Sequence, residues 1–326
     1  MLYYLIRRVL IIIPTLLVIS MISFIIIELP PGDFVSSAVR LTESRGEMSS
    51  EAVEEMRVSF GLDEPLPVRY FKWISRFVQG DFGYSLAWNA SVSDVVGDRI
   101  ALTIAVSFSS LLFAWVIAIP IGLYSAVKQY SVGDYTFTFL GFLGLSIPNF
   151  MLALVLMYIS VTQFGGSVGG LFSREFLLAP WSLAKVWDLI KHLWLPVIVV
   201  GTAGTAGTIR VMRNNMLDEL NKPYVTTARA KGLSEVRIIM KYPFRFAINP
   251  VISTVGWLLP QLIGGAVITS VVLNLPTTGP IFLRALREQD MYLAGFFVMI
   301  LATLTVIGTL ISDLLLAAVD PRIRYD

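Results

Sequence analysis

The sequence predicts an all-α, polytopic membrane protein. It would have six transmembrane helices, both termini cytoplasmic, a structured extracytoplasmic loop after the first helix and an elbow projecting on the cytoplasmic side. Three observations predict this. The chain of 326 residues is 56% hydrophobic and only 15% charged, with mean hydropathy +0.73, whereas soluble domains carry about 25% charged residues. Charge is absent from six runs, 9–27, 100–127, 135–173, 192–209, 246–283 and 291–312, and a helix needs about 20 apolar residues to cross a bilayer. Lysine and arginine then set the orientation. Arg7 and Arg8 precede the first run while Glu28 and Asp33 follow it, which favours an amino terminus inside.

The spans follow from where each run is broken. The run 135–173 is too long for one crossing, and Gln163-Phe164-Gly165-Gly166 with Gly169-Gly170 marks a stop. The run 246–283 ends in Asn274-Leu275-Pro276-Thr277-Thr278-Gly279-Pro280, which breaks a helix. Six spans result, near 9–28, 100–126, 135–163, 192–210, 248–273 and 291–313. The first is read as a retained anchor: no small-x-small cleavage site follows Glu28. On this assignment the inner segments hold 13 basic residues in 65 positions, and 210–245 alone carries eight against three acidic residues. The chain thus divides into amino terminus and first span (1–28), outer loop domain (29–99), a core of five spans with the inner elbow 210–245 (100–313), and an inner tail (314–326).

The outer loop, 28–99, holds 12 acidic and seven basic residues. Ser49 to Phe60 reads as an amphipathic helix behind a serine cap, with Ala52, Val53, Met56 and Phe60 on one face. After Pro65 and Pro67 a second amphipathic helix is expected over Val68–Val78, with Val68, Phe71, Ile74, Phe77 and Val78 at helical spacing. A loop of this length is a shielding cap or a surface for an outside partner. On the inner side, Asn221 is a candidate cap, Pro223 suits a first helical turn, and Gly232 suits the position just past an end. Tyr224–Lys231 and Glu235–Tyr242, the second capped by Ser234 and stopped at Pro243, make two short helices around a glycine corner. Ala228 and Ala230 are small enough for a partner to approach, and Arg229, Lys231 and Arg237 add positive charge. The same charges also serve positive-inside topology and anionic headgroups of the lipid bilayer.

Several chemistries are excluded. There is no cysteine and no G-x-x-x-x-G-K-[ST], so neither thiolate chemistry nor a P-loop is available. His192, the only histidine, sits beside Lys191 and Trp194 and reads as an interfacial anchor. No cofactor or metal site of this chain's own is expected, nor a nucleic-acid partner; the net charge of +2 says little about partners, and where the charges sit says more. The span interiors lack Asp, Glu, Lys and Arg; Glu28 and Asp313 sit at span ends. That argues against coupling to a proton gradient. Pro14, Pro120, Pro148, Pro196, Pro250 and Pro260, with Gly201, Gly204, Gly207 and Gly264-Gly265, allow bending and close helix crossing. Ser146, Asn149, Thr202, Thr205, Gln261 and Thr269 are candidates to line a passage or to satisfy neighbouring backbone.

The elbow carries a resemblance. Ala228-Arg229-Ala230-Lys231-Gly232-Leu233-Ser234-Glu235 resembles the cytoplasmic loop signature of ABC importer permeases, in their dipeptide/oligopeptide/nickel branch. Pro31-Gly32-Asp33, Phe60–Pro67, Gln79–Leu86, Ser146-Ile147-Pro148-Asn149-Phe150 and Asp320–Tyr325 match that branch in order and spacing. The resemblance implies a multi-pass subunit of the cytoplasmic (inner) membrane that forms half of a pathway for di- or oligopeptides. It further implies a second homologous permease, two ABC ATPase subunits that hold the ATP and magnesium, and an extracytoplasmic substrate-binding protein. The elbow would be a coupling helix seated in an ATPase groove, with Tyr224, Thr227, Ala228, Arg229, Ala230, Lys231 and Gly232 as its residues. The motif's opening acid is Thr226 here and its first alanine Thr227, so an ion pair from that acid is not implied. The branch also contains importers of nickel, glutathione and oligosaccharides. Hydropathy alone equally fits an independent secondary carrier.

Overall fold

The computed structural model describes residues 2–28, 64–85, 87–165, 169–254, 267–288 and 290–319. The expected helix 49–60, Pro31-Gly32-Asp33, Gln261 and the tail motif 320–325 lie outside them. The described residues belong to two compact units, one of 1–100 with 278–304, the other of 101–277 with 305–326.

In the first unit, α1 (Leu2–Glu28) is helical through Pro14, and its 27 residues rise roughly 40 Å at 1.5 Å each. Next comes α2 (Leu66–Val78), with proline in its first turn. A helix forms where the second amphipathic helix is expected; of its expected apolar face, Ile74 and Phe77 are half-buried. Tyr70 is buried, while Val68, Phe71 and Val78 are exposed. Aromatic packing decides that face. Tyr70 meets Phe24 at 5.6 Å, Trp73 meets Phe77 at 5.7 Å, Phe77 meets Phe82 at 5.0 Å, and Phe82 meets Phe296 at 4.8 Å between ring centres. The Tyr70 hydroxyl also lies 2.8 Å from Ser20 Oγ, so a polar group holds the helix to α1 where plain apolar spacing pointed elsewhere.

Strands β1 (Tyr84–Ser85) and β2 (Ala90–Ser91) form a two-residue antiparallel hairpin. It is pinned by Asp290: Ser85 Oγ donates to that carboxylate at 2.5 Å and the Ala87 amide at 3.2 Å. Asp290 also caps α13 (Met291–Val319), accepting from the Leu293 amide at 3.1 Å. Burial pushes the Asp290 carboxyl above its ordinary range, against the hydrogen bonds that lower it. The remaining helix here, α12 (Thr278–Arg287), packs Ile281 and Ala285 against Val92, Val96, Leu293 and Phe297.

The second unit is organised on one long helix. α3 (Val92–Val127) kinks at Gly97, where φ is +21°, then runs unbroken. α4 (Val132–Ser146) and α5 (Asn149–Phe164) follow, and α5 closes on left-handed Gly165, as the glycine cluster predicted. α6 (Leu183–Leu220) begins at a Ser182 cap and has 38 residues, roughly 57 Å of rise. α7 (Pro223–Ala230), α8 (Glu235–Lys241), α9 (Pro243–Ala247), α10 (Asn249–Ser253) and α11 (Val267–Val272) complete it.

Glycine positions record how the long helices cross. A Cβ on Gly201 would lie 2.6 Å from Phe113, and one on Gly122 would lie 2.7 Å from Met212 and 2.9 Å from the Ile209 carbonyl. Indices rise together along both helices, so α3 and α6 run parallel. Against α4 the pairs are Gly141 with Ala206 and Gly144 with Thr202; here one index rises as the other falls, so α4 is antiparallel to α6. Gly207 faces open space, so only part of the predicted Gly201/204/207 row is used for contact.

Three described helices are long and apolar enough to cross a membrane: α3, α6 and Tyr292–Leu316 of α13. The expected third span, 135–163, is two helices meeting at 99°. Pro148 has no amide hydrogen to donate and forces Ile147 into extended backbone, φ −88° and ψ 119°. Counted as one broken span, the pair makes a fourth candidate. The expected span 248–273 is described only as α10 and α11, since 255–266 lie outside the described residues. Asp313, expected at a span end, lies inside α13 with six helical residues after it.

Candidate functional site

The elbow forms because its sequence can start, stop and restart a helix within twenty residues. α6 ends at Asn221, whose side-chain amide donates back to the Leu217 carbonyl at 2.9 Å. Asn221 therefore finishes α6 and does not start α7. Lys222 takes the N-cap position of α7 without a side-chain bond, and Pro223 supplies the first turn, where its missing amide costs nothing.

The end of α7 is a Schellman turn. Gly232, at φ +73°, donates to the Arg229 carbonyl at 2.9 Å, and Leu233 donates to the Ala228 carbonyl at 3.3 Å. Leu233 thereby comes down on a small apolar cluster of Val225, Ala228 and Ile238, lined also by Tyr224 and Tyr242. Ala228 is only 6% exposed, so its small size serves the elbow's own packing. It does not present to a partner, contrary to the expectation from its size; Ala230 is exposed. Ser234 sits at the N-cap of α8 with extended backbone, but its side chain makes no capping bond. The helix does stop before Pro243, as predicted.

Two further contacts fix the elbow's angle. Arg229 reaches across the corner to Glu235 with both arms of its guanidinium, at 2.7 and 3.2 Å. Hydrogen bonding to Arg229 holds the Glu235 carboxyl below its usual range. The Tyr224 hydroxyl donates to Glu219 at the end of α6, and its ring lies 6.3 Å from Tyr242 and 6.1 Å from Phe246. Burial, then the bond to Glu219, pushes the Tyr224 hydroxyl far above its ordinary pKa. On the far side, Ala247 and Val251 pack on Met212 and Met216 of α6. Both arms of the elbow are thus attached to one helix. Thr226, Thr227, Lys231 and Arg237 face solvent together with the apolar Val236 and Met240, so the outward surface is mixed, with Arg229 already paired.

The candidate passage residues are less unified. Ser146, Thr202 and Thr205 each donate to the carbonyl four residues back, at 2.8, 2.6 and 2.8 Å, the local satisfaction expected of hydroxyls in membrane helices. Thr205 and Thr269 are buried. Ser146 is exposed and Asn149 half-buried, on either side of the α4–α5 break. His192 Nδ1 lies 2.8 Å from the Asp188 carbonyl one turn earlier, which suits an anchor. Among the described residues no group of acidic, histidine or cysteine side chains is arranged to hold a metal.

One pair escaped the sequence reading. Asp134, buried at the start of α4, takes a two-armed ion pair from Arg213 of α6, at 3.1 and 3.0 Å. It also accepts from the Tyr130 amide at 3.0 Å. The available signal was Ser131-Val132-Gly133-Asp134, a capping-box spacing, and indeed the Ser131 hydroxyl accepts from the Asp134 amide at 3.2 Å.

A helix–corner–helix elbow carried on the end of a long apolar helix can now be set beside known proteins. The model of the family described as binding-protein-dependent transport system inner membrane component matches residues 118–325, and that of its N-terminal part matches 1–107. The chain belongs to this family. Within it, the oligopeptide transport system permease protein AppB of Bacillus subtilis is 39% identical over 326 residues, covering 99% of both chains. The dipeptide transport system permease protein DppB of Escherichia coli is 30% identical over 344 residues, covering 100% of this chain and 99% of that one. The glutathione transport system permease protein GsiC of Salmonella paratyphi A is 30% identical and covered in full. Like them, this chain is an inner-membrane transport component, and the elbow lies wholly inside the matched region.

Proposed function

We propose that the chain is a permease subunit of an ABC importer, forming half of a translocation pathway for di- or oligopeptides. The observation that carries this is the elbow: a short helix, closed by its own Schellman turn and attached on both arms to α6, in a chain of this family. Such a body can receive a push at the membrane surface and deliver it to a helix about 57 Å long. The names of the full-length relatives favour peptides over other solutes. Glutathione, the solute in one relative's name, is the second reading and is itself a small peptide.

Six spans with both termini inside fit this role. The parallel run of α3 and α6, and the opposite run of α4, agree with alternate crossings. Tyr224, Thr227, Arg229, Ala230, Lys231 and Gly232 would form or shape the face that seats in the groove of one of the two ATPase subunits, with Ala228 supporting it from within. Residues 29–99 would lie outside, facing a substrate-binding protein; a second permease would complete the pathway, and ATP and magnesium would be held by the ATPases. Ser146 and Asn149, at the broken span, would stand nearest the passage. The test is co-purification with these partners from a native membrane, followed by peptide-stimulated ATP hydrolysis. Failure of the chain to capture an ATPase, with the elbow intact, would overturn the proposal.

A further inference from the structure

The elbow explains how a push could enter α6, but not how it would leave. We infer that the Asp134–Arg213 pair is a clamp that makes α4, and with it the broken span, follow α6 when the elbow moves. This deepens the permease reading and rests on it.

The geometry is specific. Arg213 lies seven residues before the end of α6, on the stretch where Met212 and Met216 receive α9 and α10. Its guanidinium takes both Asp134 oxygens, and that carboxylate is the one that the Tyr130 amide also holds. The clamp therefore seizes the first turn of α4 and the turn before it. From there the contacts continue along the pair of helices. Arg210 stacks over Phe142 at 5.3 Å, Gly141 admits Ala206, and Gly144 admits Thr202. Ten residues along α4, from 134 to 144, are matched by eleven along α6, from 213 to 202, so the two helices stay in step throughout. This union ends at Ile147-Pro148, where the chain turns through 99° into α5.

Along that seam Gly141 and Gly144 meet small side chains of α6, a packing that sets registry less sharply than a directional contact does. The two-armed ion pair does fix it, because a guanidinium fork matches a carboxylate in one orientation. A buried charge whose partner moved away would stand uncompensated. Thus α6 displacement would carry Asp134 with it, and the resulting strain would fall on the break beside Ser146 and Asn149. Arg213 and Asp134 are positioning residues: they act on the pathway through α4.

The test uses the whole complex in proteoliposomes, comparing uptake per ATP hydrolysed for the unaltered chain, Arg213→Gln, Arg213→Lys and the exchanged Asp134→Arg/Arg213→Asp chain. Because the chain has no cysteine, spin labels on Phe139→Cys and Asn214→Cys report the α4–α6 distance with and without ATP. The clamp predicts one α4–α6 distance in both states for the unaltered chain and two for Arg213→Gln. It also predicts uptake per ATP reduced roughly tenfold in Arg213→Gln, the scale of a lost coupling between sites, less in Arg213→Lys, and partly restored on exchange. Unchanged uptake per ATP in Arg213→Gln, with an unchanged distance, overturns it. If single variants fail to insert, an exchanged chain that inserts without regaining coupling overturns it too. Absence of ATP-driven uptake by the unaltered complex would instead overturn the permease reading, and the clamp with it.

Discussion

Gly232 offers the sharpest perturbation of the elbow. Its φ of +73° lies in the left-handed region, and a Cβ placed there would meet nothing within 4 Å. The cost of replacing it is thus backbone strain without any clash. For Gly232→Ala that strain is about 1–2 kcal/mol. This is smaller than the combined hold of the Val225–Ala228–Ile238 cluster and the Tyr224 contacts, so the corner should persist in a loosened form. Gly232→Asn should cost less, since asparagine enters the left-handed region more readily. Gly232→Pro is different in kind. Proline fixes φ near −65°, more than a small adjustment from +73°, and removes the amide bonded to the Arg229 carbonyl. Leu233 would leave its cluster and α8 would reorient. Uptake should therefore rank Gly, then Asn, Ala and Pro, with Pro abolishing coupling while the chain still inserts. The assay is ATP-driven uptake alongside capture of the ATPases. Normal uptake and normal capture by Gly232→Pro would refute the argument that this corner sets the elbow.

Tyr224→Phe keeps the rings and deletes the hydroxyl bonded to Glu219; it should destabilise the elbow by about 1–2 kcal/mol, seen as faster proteolysis within 221–245. Gly122→Leu should overpack the α3–α6 crossing at Met212 and lower thermal stability by about 1–3 kcal/mol, whereas Gly207→Ala, facing open space, should be neutral or raise it by up to about 1 kcal/mol. Asp290 should make the β1–β2 hairpin sensitive to pH. Its folded pKa is raised, so its stabilising contribution is full below the unfolded pKa and is lost as pH rises through the folded one. Melting temperature should therefore fall across that window in the unaltered chain and vary less in Asp290→Asn, which keeps a capping oxygen.

What depends on local chemistry is legible in the sequence. Helix stops at Gly165, restarts at Pro223 and the corner at Gly232 are dictated by φ preferences and missing amides, and they appear where those residues stand. The buried face of α2 keeps Ile74 and Phe77 of the periodic set but turns towards Tyr70 and Trp73, which pack through ring geometry and a hydroxyl contact with Ser20, fifty residues away, that no period encodes. Ala228 was misread for a related reason: small size marks close packing but not whether the neighbour is another protein or the elbow's own Ile238. Asn221 had equal local claims to end one helix or begin the next. Asp134 and Arg213 lie 79 residues apart, and nothing local announces that the capping acid of one helix is the counter-ion of another. The third span shows a subtler limit. Pro148 was visible as a loosening residue, but a 99° turn depends on how α4 and α5 each find their own packing.

Whether this chain converts hydrolysis elsewhere into movement of peptides is decided by purified components in sealed vesicles. The chain, its second permease, both ATPases and the binding protein would be reconstituted with a labelled dipeptide outside and ATP at the nucleotide face. A permease predicts uptake that requires ATP and every component, and that ceases with Gly232→Pro. Uptake by this chain alone, without ATP and driven by an ion gradient, would contradict it.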